Sequence, residues 1–204
     1  MINIKMEIKF SEKTIELEKE LNSLDKLAIN FTSILNKLEI KYVIISGYVA
    51  ILFGRNRSSE DIDIIIEKMS HEKFSELWQE TIKNFECIIT SKPDEAYKDY
   101  LLTNSPIRFS EIGKFVPNIE IKLPKTDLDI WTLENSKEVL LNKNKIIISQ
   151  IELQISFKFF LGSEKDIEDA KYLYEVFKDN LDMNLVKEFN RKLKIEKIFN
   201  KYIK

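Results

Sequence analysis

Two carboxylates separated by a single residue, Asp61 and Asp63, offer the plainest chemistry in this chain of 204 residues. Residues 60–68 alternate so that Asp61, Asp63, Ile65 and Glu67 fall on one face of a strand and Ile62, Ile64 and Ile66 on the other. Carboxylates at i and i+2 stand side by side, and a cation between them relieves their repulsion. Hard oxygen ligands of this kind favour Mg²⁺. A metal so held suits phosphoryl or nucleotidyl transfer, in which charge building on the phosphate must be neutralised.

Complementary features flank the pair. A β-branched strand over 41–46 stops at Ser46 and Gly47, and a short helix over 48–53 ends at Gly54. A glycine at a helix start presents free backbone N–H groups and the positive end of the dipole, so Gly47 is placed to cradle a triphosphate. Between cradle and carboxylates stand Arg55, Arg57 and Ser58, whose guanidinium groups match phosphate. The bland alternative pairs the two arginines with Glu60 or Glu67, at little energetic consequence. Further on, Glu120 is the best candidate for a third acid. Glu120 and Lys122 also read as the exposed face of an edge strand, and Asp127 and Asp129 compete for the same role.

These residues carry a resemblance. Ser46-Gly47-Tyr48-Val-Ala followed by Arg57-Ser58-Ser-Glu-Asp61-Ile-Asp63 resembles the DNA polymerase β-type nucleotidyltransferase superfamily over residues 41–68. The resemblance implies a mixed α/β fold, an NTP substrate, Mg²⁺ on Asp61, Asp63 and Glu120, and triphosphate contacts from Ser46, Gly47, Arg57 and Ser58. The second half is similar to AbiEii-like toxin nucleotidyltransferases and archaeal-type relatives through Lys158 and Lys165-Asp166-Ile-Glu-Asp169. That likeness implies Lys158 on nucleotide phosphate, Lys165 and Asp166 among the nucleotide-binding residues, and Asp166 or Asp169 ordering the helical lobe or contacting base or metal. Two positions depart from the pattern: Tyr48 where a small or hydroxylated residue is usual, and Glu120 in place of Asp. Read from the residues alone, Lys158 also fits a lysine snorkelling at a core boundary beside Ile155 and Phe159.

The elements that must position these groups follow from periodicity. Leu17, Leu21, Leu24, Ala28, Phe31, Leu35 and Leu38 predict one long amphipathic helix over 11–38, packed on its own domain or offering a seam to a second copy or partner. A helix over 70–85 joins neighbouring strands, a short helix covers 94–102, and strands are expected at 86–90, 107–111 and 115–123, giving a central sheet of about five. Asn-Lys-Asn at 142–144 turns a hairpin. Beyond it everything reads as helical: Ser149 and Glu152 form a capping box, Gly162 ends that helix, Ser163 opens another, and a final helix runs from about 184 nearly to the end. The organisation expected is an α/β core over 1–148 and a helical lobe over 149–204 packed on it.

Composition sets bounds. Four glycines and four prolines leave little for linkers, and a net charge of -2 supplies no global pull toward nucleic acid or anionic membrane, although lysines over 187–197 could bind locally. The single cysteine, Cys87, excludes an internal disulfide, and the single histidine, His71, excludes a histidine relay and reads as a helix-start residue. Residues 1–10 lack the apolar block of a leader and no run spans a membrane, so a cytoplasmic protein is expected. The function expected is Mg²⁺-dependent transfer of a nucleoside monophosphate from an NTP to tRNA, a protein or a small molecule, in a toxin-antitoxin or defence setting. The alternatives are a catalytically degenerate member binding nucleotide or partner, and a kinase-like phosphotransferase.

Overall fold

A computed structural model describes residues 6–11 and 14–203 of the chain. Among the described residues nine strands form one mixed sheet: β1 (Glu7–Phe10), β2 (Thr14–Glu18), β3 (Tyr42–Ile45), β4 (Asp61–Ile66), β5 (Phe85–Cys87), β6 (Ile107–Glu111), β7 (Asn118–Lys122), β8 (Lys137–Leu141) and β9 (Asn144–Ile148). Their spatial order is β1-β2-β8-β9-β3-β4-β7-β6-β5. Parallel β4 and β7 lie at the middle of the site-bearing half, with Asp63 in register with Glu120. Antiparallel β3 brings Ile45 opposite Asp63, which delivers Ser46 and Gly47 to the same end of the sheet.

At the N-terminus the fold departs from the helix that periodicity predicts. The expected helix over 11–38 is α1 (Ser23–Lys37), preceded by β2, where Ile15 and Leu17 are buried. Thr-Ile-Glu-Leu-Glu alternates with period two, so it pairs with β8, while Asn22 and Asp25 form a reciprocal capping box that sets the helix start. The helical seam of Leu24, Leu27, Ala28, Phe31 and Leu35 is buried in the chain's own core, where the Phe31 ring meets Phe85 and Phe109. Residues 1–5, 12 and 13, which share the expected alternation and helix, lie outside the described residues.

Helices cover both faces. With α1, α3 (His71–Thr81) covers the face of Ile62, Ile64 and Ile66, and Trp78 packs on Phe109. Ahead of it comes α2 (Gly47–Leu52), the short helix expected after the glycine turn. A segment beginning with α4 (Pro93–Glu95) continues through a π-type turn to a 3₁₀ turn ending at Thr103. Over the other face stands α5 (Asp127–Glu134), a helix the periodicity did not reveal because its apolar residues define no stripe; Thr126 and Asp129 cap it reciprocally.

The helical lobe comprises α6 (Ile151–Leu161), α7 (Glu164–Phe177), α8 (Met183–Lys192) and α9 (Glu196–Tyr202). Gly162 ends α6 with φ 73°, in the left-handed region that favours glycine. The capping box expected at Ser149 does not form: Gln150 holds the N-cap position, and the Ser149 hydroxyl accepts instead from Gln154. The expected single last helix is two, broken at Lys194 with φ 57°, where Ile195 turns into the core at 3 % exposure. Among the described residues no helix is long and apolar enough to cross a membrane.

Candidate functional site

Asp61 and Asp63 share the face of β4 turned toward α5 and α6, both partly exposed. Asp63 lines a cleft of about 140 Å³ with Ser46, Ile65, Lys122, Leu128 and Lys158. Burial, together with the neighbouring charges of Asp61 and Glu120, pushes the Asp63 carboxyl above the usual range; Lys122 and the Ser46 hydroxyl oppose the rise. Ser59 donates to Asp61 at 3.3 Å. The site therefore concentrates negative charge that its own cations leave incompletely balanced, and a hard divalent cation suits that oxygen donor set.

The third acid has a partner of its own. Glu120 faces the same way as Asp63, but Arg108, opposite it on β6, donates to its Oε2 through Nε at 2.9 Å and Nη2 at 2.6 Å. Glu120 in turn raises the Arg108 guanidinium above its ordinary range, with smaller contributions from Asp61 and Asp63. Among the described residues no three His, Cys, Asp or Glu side chains converge closely enough to hold an ion. Asp61 and Asp63 are the pair available, with Glu120 bound by arginine beside them. Arg108 is a site residue that the sequence pattern does not single out, although its place across a hairpin from Glu120 is a usable signal. Asp129, weighed as a competing acid, caps α5 by accepting from the Lys125 and Thr126 amides.

The cations expected at phosphate converge on one carboxylate. Asp169 on α7 has no exposed surface, and Arg57 donates to it through Nε at 3.0 Å to Oδ1 and Nη2 at 2.9 Å to Oδ2. Lys158, on α6 and 2 % exposed, donates to Asp169 at 2.8 Å and to Asp166 at 3.3 Å. Arg55 Nε lies 3.6 Å from Asp169 without a hydrogen bond. Burial alone would push the Asp169 carboxyl up, but hydrogen bonds from Arg57 and Lys158 outweigh it and hold the group below its usual range. Neither Glu60 nor Glu67 takes the arginines. The network ties the loop before β4 to the helical lobe, and Lys158 is a buried pair partner that also lines the cleft. Ser58 is exposed, its carbonyl accepting from Arg57 at 3.0 Å; Lys165 is exposed on α7 without an ion pair among the described residues.

The turn is shaped by this network. A Cβ at Gly47 would overlap the Arg57 guanidinium, so the glycine makes room for an arginine already fixed by Asp169. Ser46 carries φ 66° and ψ -137°, a conformation that favours glycine. Tyr48 turns away from the carboxylates: its hydroxyl donates to Asp25 at 2.9 Å in the core, and Asp25 also pairs with Lys19 at 2.9 Å. Tyr48 therefore leaves the turn open.

No protein-family model matches the chain, and no curated protein matches it significantly in sequence. Among solved structures it is similar to an antigenic nucleotidyltransferase-like protein from Paracoccidioides brasiliensis, with a TM-score of 0.53 and 17% identity over 87% of this chain and 90% of that one. A tRNA-processing enzyme in an apo form gives a TM-score of 0.38 and 13% identity over 90% of this chain and 57% of its own, too loose a likeness to carry weight. The first likeness shows a nucleotidyltransferase-like fold: a large mixed sheet flanked by helices.

Proposed function

We propose that this protein is a nucleotidyltransferase that moves a nucleoside monophosphate from an NTP to an acceptor hydroxyl. The observation that carries the reading is the placement of Asp61 and Asp63 on one face of β4, Asp63 in register with Glu120, at the end of the strand pair that delivers the Ser46-Gly47 turn. In this reading the acceptor oxygen bonds to the α-phosphorus, the α–β phosphoanhydride bond breaks, and pyrophosphate leaves with the electron pair. The hydroxyl proton passes to a carboxylate of the same face, Glu120 in this scheme. Asp61 and Asp63 would hold Mg²⁺, which supplies neutralisation of phosphate charge. The cleft beside Asp63 takes the nucleotide, and the acceptor is tRNA, a protein or a small molecule.

The pairing of Lys158 with the Lys165-Asp166-Ile-Glu-Asp169 segment supports the finer placement beside AbiEii-like toxin nucleotidyltransferases, and with it a toxin-antitoxin or defence role in the cytoplasm. A second reading, a degenerate member that binds nucleotide or a partner without turnover, is favoured by the Arg108 bond to Glu120. The test is product analysis with radiolabelled NTP, Mg²⁺ and cell extract as the acceptor source. Pyrophosphate release that requires Asp61 and Asp63 supports transfer; release of nucleoside diphosphate points to a phosphotransferase; nucleotide binding without turnover supports the degenerate reading.

A further inference from the structure

Arg55, Arg57 and Lys158, the cations the sequence offers for a triphosphate, all face Asp169, and Lys158 also meets Asp166. Arg108 is committed to Glu120. A nucleoside triphosphate carries several negative charges, and a site whose cations are already neutralised would attract it weakly. Of the two lysines that line the cleft, Lys158 is paired and Lys122 is not, among the described residues. Lys122 lies on β7 two residues beyond Glu120, on the same face, in register with Ile65. Its side chain lines the cleft with Asp63 and Ser46, and its charge reaches the Asp63 carboxylate. It is partly exposed and, among the described residues, forms neither an ion pair nor a side-chain hydrogen bond.

We infer that Lys122 is the phosphate-binding cation of this cleft, contacting the triphosphate of the incoming nucleotide from the side of the sheet. This rests on the nucleotidyltransferase reading and deepens it. Lys122 stands two residues past Glu120 on the paired strand and shares the cleft lining with Asp63, so a phosphate gathered at Asp63 meets its charge. Lys158, across the cleft on α6, then serves to hold the helical lobe to the loop before β4, through Asp169.

Lys122→Gln removes the charge from a partly exposed side chain, and Lys122→Arg keeps it. Each is titrated with the four NTPs and the four nucleosides in Mg²⁺, alongside wild type and Lys125→Gln, a nearby exposed control. The expected result is a loss of NTP affinity of about 10- to 100-fold in Lys122→Gln, as for a hydrogen bond to a charged group, with nucleoside binding unchanged, a shallower salt dependence, and recovery in Lys122→Arg. Wild-type binding of NTP that Lys122→Gln retains in full overturns the inference and leaves the nucleotidyltransferase reading standing. An equal loss of nucleoside and triphosphate overturns it too, since that marks a structural role. No nucleotide binding by the folded wild type removes the parent reading and this inference together.

Discussion

The Arg57 guanidinium and the buried Asp169 carboxylate form a two-point contact, Nε to Oδ1 at 3.0 Å and Nη2 to Oδ2 at 2.9 Å, across 112 residues of sequence. It joins the loop that precedes β4 to the helical lobe. Asp169→Ala would leave Lys158, at 2 % exposure, and Arg57 without their shared counterion. Breaking a buried pair in this way costs about 3–5 kcal/mol. Urea unfolding of Asp169→Ala should show that loss, and Arg57→Ala/Asp169→Ala should lose less than the sum of the two single changes.

The same carboxylate sets a pH response. Its folded value lies below the ordinary carboxylate range, so its contribution to stability is complete above that range, roughly pH 4, and falls away as the pH drops through the lowered value. Asp169→Asn should flatten this part of the acid limb in a pH series of thermal unfolding. An acid limb identical to wild type would remove Asp169 from the explanation.

Gly47 is constrained by Arg57 more than by its own backbone. Gly47→Ala forces the guanidinium off Asp169, with a cost of about 1–3 kcal/mol, as for overpacking. In an Arg57→Ala background the cost should nearly vanish, and chemical denaturation of the four proteins of that cycle measures it.

Ser46 occupies a backbone conformation that costs about 1–3 kcal/mol for a residue with a Cβ. Ser46→Gly relieves it, offset in part by greater freedom of the unfolded chain, for a net gain of roughly 1 kcal/mol. A higher melting temperature is the expected outcome; a lower one would mean that the Ser46 hydroxyl contributes more than its backbone costs.

Tyr48→Phe removes a donor from Asp25, which is fully buried, and should cost about 1–3 kcal/mol of stability. Because the ring faces the core, nucleotide affinity should not change. Altered nucleotide affinity at unchanged stability would place Tyr48 in the site.

Local pattern made much of this legible. Alternation at 60–68 placed Asp61 and Asp63 on one face of β4, and the glycine turn located α2. Hairpin signals gave β8 and β9. What escaped was long-range. β2 shares Leu17 with a helical seam, and only its pairing with β8, more than 120 residues away, decides the matter. The arginines at 55 and 57 read as phosphate ligands or partners of nearby glutamates because sequence proximity is all a single chain displays, whereas Asp169 reaches them through the fold. Lys122 could be seen only as an exposed strand residue until α5 and α6 closed a cleft over it.

The most direct test is isothermal titration of each NTP, with Mg²⁺, into wild type and Asp61→Asn/Asp63→Asn. Binding by wild type that the double variant loses while remaining folded is the result expected of a metal-dependent nucleotide site on β4. No heat from any NTP with folded wild type, or equal binding by the double variant, would contradict it.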